Sequence, residues 1–251
     1  MARSAATNSV QIRNQAGSLL FTGASANYVD LPMNFNPSTG DFAITMWVRP
    51  TRMARNDTLV SHAYYSGGDG AGTGRTWMSI NAIGVPANNE FESFFGGVDN
   101  LSTYVMDRAV WQHLGISYNQ GANTVSYYVN GTAYGTTTPT VESATGTQRI
   151  GASKSGAANA RAYIGITKVF RRQLTGAEFL SDYVSGVISN TSNLQAVYNF
   201  SNGSGTTLTD SSGNSNNGTI VGSDVTWSTV AAVKSRSAAS ARTAASGRTT
   251  T

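Results

Sequence analysis

Residues 109–135, AVWQHLGISYNQGANTVSYYVNGTAYG, constrain the fold of this chain more than any other stretch. Leu114, Ile116 and Tyr118 alternate with His113, Gly115 and Ser117, and after a polar turn Val125, Tyr127 and Val129 alternate with Ser126 and Tyr128. A period of two marks a strand with one buried face. Asn130-Gly131 then supplies the two positive-φ positions of a tight hairpin turn, leading into a third strand over 132–135. Consecutive short strands joined by tight turns define an antiparallel β protein.

Further strands are predicted along the chain. Phe42, Ile44, Met46 and Val48 alternate with Ala43, Thr45 and Trp47, and Pro50 closes that strand. Residues 59–64 and 77–81 read as another pair, separated by the glycine-rich run 66–74, which reads as a loop. Residues 90–95, 148–151 and 162–170 are strand candidates, and 194–227 returns to strands around the polar run 210–218. One helix is signalled. Thr175 and Glu178 form a capping box, Leu174 and Phe179 the accompanying staple, and Gly186 the stop. Leu180, Tyr183 and Val184 are its expected buried stripe.

With 39% hydrophobic residues and four tryptophans, the chain can build an ordinary core without disulfides. The absence of cysteine excludes a disulfide framework and any Cys-based zinc site. No apolar run reaches the ~18–20 residues of a membrane span, and the polar N-terminus lacks the apolar core of a signal peptide. Synthesis in the cytosol is therefore expected. The net charge of +4 comes from Lys234, Arg236, Arg242 and Arg248, because acidic and basic residues balance over 1–230. That tail is sparse in charge and free of aromatics, unlike a dedicated nucleic-acid arm, and too polar to fold alone. It is expected to lie on a neighbouring subunit or to be simply solvated, and the first reading makes these four residues an assembly element.

The W-x-H-L-x-I-S-Y run at 111–118 and V-x-Y-Y-V-N-G at 125–131 resemble the central hairpin of laminin-G-like domains, within the concanavalin A-like lectin/glucanase superfamily. Leu20-Phe21-Thr22-Gly23 with Tyr28-Val29, the strand ending at Pro50, the 164–178 strand-plus-helix closure and the block from Val197 to Trp227 are similar to further motifs of that family. The last block usually comes first, so the order implies a circularly rearranged sandwich. The resemblance implies an all-β, antiparallel two-sheet jelly roll with one short helix. The expected organisation is an arm over 1–14, the jelly-roll domain over 15–230 and a basic tail over 231–251.

Chemistry is sparse. Glu90 and Glu92 stand at i, i+2, which places both carboxylates on one face of a strand, as in glucanases of the superfamily. However, Phe94 and Phe95 follow where such enzymes continue the acidic alternation, and two exposed acids on an edge strand give the same pattern. No catalytic residue is therefore assigned. His113 reads as a hydrogen-bonded structural residue. The 210–218 loop offers a hard cation such as Ca2+ one carboxylate, Asp210, and amide oxygens such as that of Asn214. The family's companion acids are replaced by Thr22 and by Gly165-Ile166-Thr167, and an Asx turn is the competing reading. Tyr64, Tyr65, Asp69, Arg75 and Trp77 form the candidate glycan platform.

The expected function is a non-catalytic recognition or adhesion module built into a larger particle, with a phage or virus virion protein of capsid-decoration or fibre type as the leading form. A Ser-, Thr-, Asn- and Gly-rich surface without an export signal is reconciled by release through lysis. Copies of the chain or other virion proteins are then its partners, and surface glycans its ligands. A free carbohydrate-binding lectin is the alternative, and a glycoside hydrolase using Glu90 and Glu92 the third reading.

Overall fold

The computed structural model describes residues 10–11, 17–33, 37–52, 62–70, 73–80, 90–95, 98–140, 145–153, 159–230 and 233–234. A first sheet comprises β2 (Ser18–Thr22), β4 (Phe42–Pro50), β9 (Gln112–Asn119), β10 (Thr124–Val129), β11 (Thr132–Thr137), β13 (Arg161–Phe170), β14 (Leu194–Tyr198) and β17 (Val225–Ser228). The second comprises β3 (Tyr28–Leu31), β5 (His62–Gly70), β6 (Thr73–Ile80), β7 (Glu90–Phe95), β8 (Val98–Val105), β12 (Thr145–Ile150), β15 (Thr207–Leu208) and β16 (Gly218–Val221). The helix α1 (Gly176–Ser185), a short 3-10 turn at Pro37–Thr39 and a two-residue ladder between β1 (Val10–Gln11) and β18 (Val233–Lys234) complete the described elements.

Alternation places the core between the sheets. Phe42, Ile44, Met46 and Val48 of β4 meet Leu114, Ile116 and Tyr118 of β9 on the inner face of the first sheet, all fully or almost fully buried. Val29 and Leu31 of β3, Ile150 of β12 and Phe91 of β7 line the facing layer. Phe91 and Tyr127 pack edge to face across the sandwich, with ring centroids 5.6 Å apart. Asn130 (φ 51°) and Gly131 (φ 78°) form the predicted positive-φ turn between β10 and β11. The segment after α1 threads strands into both layers. β14 and β17 join the first sheet, while β15 and β16 join the second.

Two local expectations are corrected. The 66–74 run is predominantly a hairpin. β5 continues to Gly70 and β6 begins at Thr73, with only residues 71–72 of the run outside the described residues. Register shifts accommodate its glycines, and β12 pairs with this extension through Gln148↔Gly67 and Thr145↔Asp69. The helix also buries a different face. Its capping box and its αL stop at Gly186 form as read from sequence. Phe179 and Asp182 point inward, whereas Leu180 and Val184 are about half exposed, at 49% and 57%, and Tyr183 is half-buried. The inward face is chosen by an ion pair. Lys168 Nζ donates to Asp182 Oδ1 and, at 2.7 Å, to the Gly186 carbonyl, while His113 Nε2 lies 3.1 Å from Asp182 Oδ2. A carboxylate thus docks the helix on the first sheet where an apolar stripe was expected.

Candidate functional site

The outer faces of the two sheets differ. On the first, Phe179 of α1 packs with the flanking Leu174 and Ile188, and a second cluster of Trp47, Trp111 and Ile166 has half-buried Tyr163, Val230 and Tyr183 of the same helix packed against it. On the second sheet, core placement of Val29, Leu31, Gln148 and Ile150 turns Tyr28, Asp30 and Arg149 outward. Asp30 and Arg149 are direct cross-strand partners. Arg149 Nε donates to Asp30 Oδ1 at 3.0 Å, and its guanidinium carbon sits 3.8 Å from the centroid of the Tyr28 ring. The ring face and the carboxylate fix the guanidinium plane, an arrangement suited to presenting N–H donors to hydroxyl or carboxylate oxygens. Side-chain exposure of 41% for Asp30 and 15% for Arg149 sets the pair at the surface of the sheet.

Further along this sheet, Glu92 is buried and accepts a 2.9 Å hydrogen bond from Ser79 Oγ. Glu90 is half-buried two residues earlier. Their strand, β7, lies between β6 and β8, so the edge-strand reading of this pair is incorrect.

Of the candidate glycan platform, Tyr65 is placed elsewhere. It is fully buried, and its hydroxyl donates to Gln148 Oε1. Burial raises its pKa well above the ordinary tyrosine value, followed by a smaller effect of Tyr198. A ring without exposed surface offers no stacking face. The backbone puts Tyr64, Asp69, Arg75 and Trp77 on the single β5–β6 hairpin in the same sheet as Tyr28 and Arg149, and their side chains lie outside the described residues. Tyr28, Asp30 and Arg149 were missed as a set because 119 positions separate Asp30 from Arg149. Alternation within Tyr28-Val-Asp-Leu31 and Gln148-Arg-Ile150 was the available signal.

The 210–218 loop is built for internal hydrogen bonding. Asp210 Oδ1 accepts from the backbone N–H groups of Val197 and Ser212, both at 2.9 Å. Oδ2 accepts from Ser212 Oγ at 2.9 Å and the Asn216 N–H at 3.0 Å. Asn214 Nδ2 donates to the carbonyls of Leu194 and Gln195. Four protein donors occupy the carboxylate, so these residues fit the Asx-turn role and do not fit a cation site. Among the described residues, no three His, Cys, Asp or Glu side chains cluster to hold a metal ion. Asp210→Asn replaces an acceptor oxygen with an amide that faces two donors. An expected loss of about 2–3 kcal/mol, unchanged by chelator or added Ca2+, is checked by urea unfolding with and without the ion.

An antiparallel two-sheet sandwich with a Tyr28–Arg149–Asp30 arrangement at the surface of one layer is the class these features define. Residues 22–179 match the Laminin_G_3 family model of the concanavalin A-like lectin/glucanases superfamily, and the chain belongs to that family. Among solved structures it is similar to a Bacteroides ovatus ATCC 8483 protein proposed to bind carbohydrate (TM-score 0.64, 17% identity, 87% of this chain covered). The present chain spans 61% of the length of that protein. It is also similar to the heptameric SAP-like pentraxin of Limulus polyphemus (TM-score 0.54, 9% identity, covering 68% of this chain and 83% of that one). A third similarity is to Trypanosoma rangeli sialidase in complex with sialic acid (TM-score 0.51, 13% identity, 71% of this chain and 29% of that one). No curated protein matches. Among the described residues, no helix is long and apolar enough to cross a membrane.

Proposed function

We propose that this protein is a non-catalytic glycan-recognition module whose contact surface is the outer face of the second sheet. The observation that carries this reading is the Tyr28–Arg149–Asp30 arrangement, a guanidinium fixed by a ring and a carboxylate at the surface of the second sheet. The opposite layer is occupied by α1 and Val230. The description of the Bacteroides ovatus neighbour as carbohydrate-binding supports the same ligand class. Tyr64, Asp69, Arg75 and Trp77, on the neighbouring β5–β6 hairpin, extend the proposed surface. A glycan array with the intact chain identifies the ligand, and calorimetry on the strongest hit compares variants. Arg149→Ala weakens binding about ten- to a hundredfold, the range for a lost charge-assisted hydrogen bond, while circular dichroism is unchanged. Unaltered affinity in a folded Arg149→Ala protein removes this face from recognition. Glu92 is assigned to holding β6 and β7 together, so neither the intact chain nor Glu92→Gln releases reducing sugar from the bound glycan.

We further propose that the module works inside a larger particle, of virion type, with copies of itself as partners. This is supported by the basic, Ser- and Ala-rich composition of 231–251 and by the docking of Val230, at the entry to that segment, on an aromatic patch. Lys234 is described through its pairing with Val10, while Arg236, Arg242 and Arg248 lie outside the described residues.

A further inference from the structure

Arg49, Arg108 and Arg161 gather at one end of the first sheet, and backbone carbonyls hold the first two where carboxylates would be expected. Alternation turns Arg49 of β4 and Arg161 of β13 to the outer face, because Val48, Ala162 and Ile164 face the core. Arg49 Nε donates to the Ala109 carbonyl at 3.1 Å. Its guanidinium carbon lies 5.5 Å from the ring centroid of Tyr163, its direct cross-strand partner. Arg108 Nε donates to the Thr51 carbonyl at 3.1 Å, and the Ala109 N–H to the Pro50 carbonyl at 2.8 Å. Each segment thus clasps the other, through an arginine of one and a carbonyl of its neighbour. The Thr51 N–H donates to the Arg161 carbonyl at 2.8 Å, which ties the third arginine to the same clasp, and exposed Arg52 follows.

The platform is braced from below. Buried Gln112 accepts from the Asp107 N–H at 3.1 Å and donates to the Asp107 and Val110 carbonyls at 2.9 and 3.3 Å. Ala109 is held at φ 61°, a conformation that a residue with a Cβ keeps only where its surroundings impose it. Only Nε of Arg49 and of Arg108 is used, so the Nη donors of both forks stay available. Among the described residues, neither guanidinium has a carboxylate within ion-pair distance. Like charges held together in this way raise the local potential and favour an anion.

We propose that Arg49, Arg108 and Arg161 form a binding site for a tetrahedral oxyanion, sulfate or phosphate, free or as a terminal ester group. The site goes beyond the glycan reading, since it lies on the other sheet and needs no sugar contact. A guanidinium fork meets two oxygens of such a group at once, and a group with three terminal oxygens is shared by two forks. A carboxylate has only two oxygens and engages one fork, so it is the poorer ligand. Orientation through Nε in the free protein reduces the side-chain entropy lost on binding.

Displacement of a fluorescent sulfated dextran from the intact chain tests the site, with neutral dextran of the same length as the blank. Binding is expected at about 50 mM salt and falls steeply by about 200 mM. Arg49→Gln and Arg108→Gln keep an N–H for the carbonyls they brace and remove the charge. Each is expected to weaken binding about three- to tenfold, and the pair about ten- to a hundredfold, with an unchanged near-UV spectrum. Should the paired Gln chain not fold, Arg49→Lys with Arg108→Lys keeps the charges, loses the forks and is expected to bind about three- to tenfold weaker. Displacement by millimolar inorganic sulfate or phosphate assigns the free ion as ligand, and displacement only by more sulfated dextran assigns the ester group on a chain. Both results support the arginine site. Affinity unchanged in the folded Gln pair, or lost only when Arg236, Arg242 and Arg248 are replaced by Ala, overturns it. Equal displacement by poly-glutamate of matched charge also overturns it, since a bare charge field would not tell the two apart. So does binding confined to duplex DNA, with sulfate, phosphate and sulfated dextran all inert.

Discussion

Replacing Asp182 with Asn lowers the unfolding free energy by about 3–5 kcal/mol at neutral pH, the usual cost of stripping one partner from a buried ion pair. Asp182 is buried and shared by Lys168 from β13 and His113 from β9. Burial alone would raise its pKa, but the hydrogen bond and charge of His113, followed by those of Lys168, hold it well below the ordinary carboxylate range. The Asn variant leaves the Lys168 ammonium, itself buried, with the Gly186 carbonyl and without the counter-charge that Asp182 supplies. The pH dependence has a definite sign. A carboxylate held low in the folded state contributes fully above its unfolded value of about 3.9 and loses that contribution as the pH falls below it. The gap between wild type and Asp182→Asn in urea midpoint at constant slope is therefore widest near neutrality and narrows below about pH 4. A gap equally wide at pH 3 and pH 7 would refute the role of the charge. Lys168→Met combined with Asp182→Leu regains much of the loss, since an apolar pair of similar volume needs no compensation.

This ion pair also marks where the sequence ceased to be legible. The β9–β10–β11 meander was readable because its signals are local, with alternation inside each strand and two positive-φ residues at the turn. The capping box of α1 was readable for the same reason, since Thr175 and Glu178 are three residues apart. The inward face of the helix was not. Leu180 and Val184 are the more apolar choice, and only the long-range approach of Lys168 and His113 makes an inward Asp182 favourable. Glycines in the 66–74 run misled similarly, because the ladder that recruits them is supplied by β12, some 80 positions away. Legibility of the candidate site was lower still. Tyr28, Asp30 and Arg149 carry no motif in isolation, and they acquire meaning only when β3 and β12 become neighbours. Tyr65, apolar enough for either face, was read as exposed and belongs to the core.

Truncating Phe179 to Ala is expected to cost about 3–5 kcal/mol, as for other fully buried aromatic rings. The ring stacks on Tyr128 with centroids 4.0 Å apart and shares its cluster with Ala43, Phe170, Leu174 and Ile188. It also lies directly against β9 at Gly115, where a Cβ atom would stand 2.3 Å from the Phe179 Cε1 atom. The glycine is required there by close approach, since any side chain must push the ring and its helix away from the sheet. Gly115→Ala alone is accordingly expected to cost about 1–3 kcal/mol, the range for overpacking. The two changes are not independent. Once the ring is gone, the new methyl group occupies space that Phe179 vacated, so Gly115→Ala adds little to Phe179→Ala. A double-mutant cycle from urea midpoints should therefore return a coupling energy of about 1–3 kcal/mol. Additive losses would mean that the contact between α1 and β9 relaxes elsewhere. Strong coupling would establish that the outer layer of the first sheet is set by the fit of one ring to one glycine, the same layer on which the ion pair of Asp182 acts.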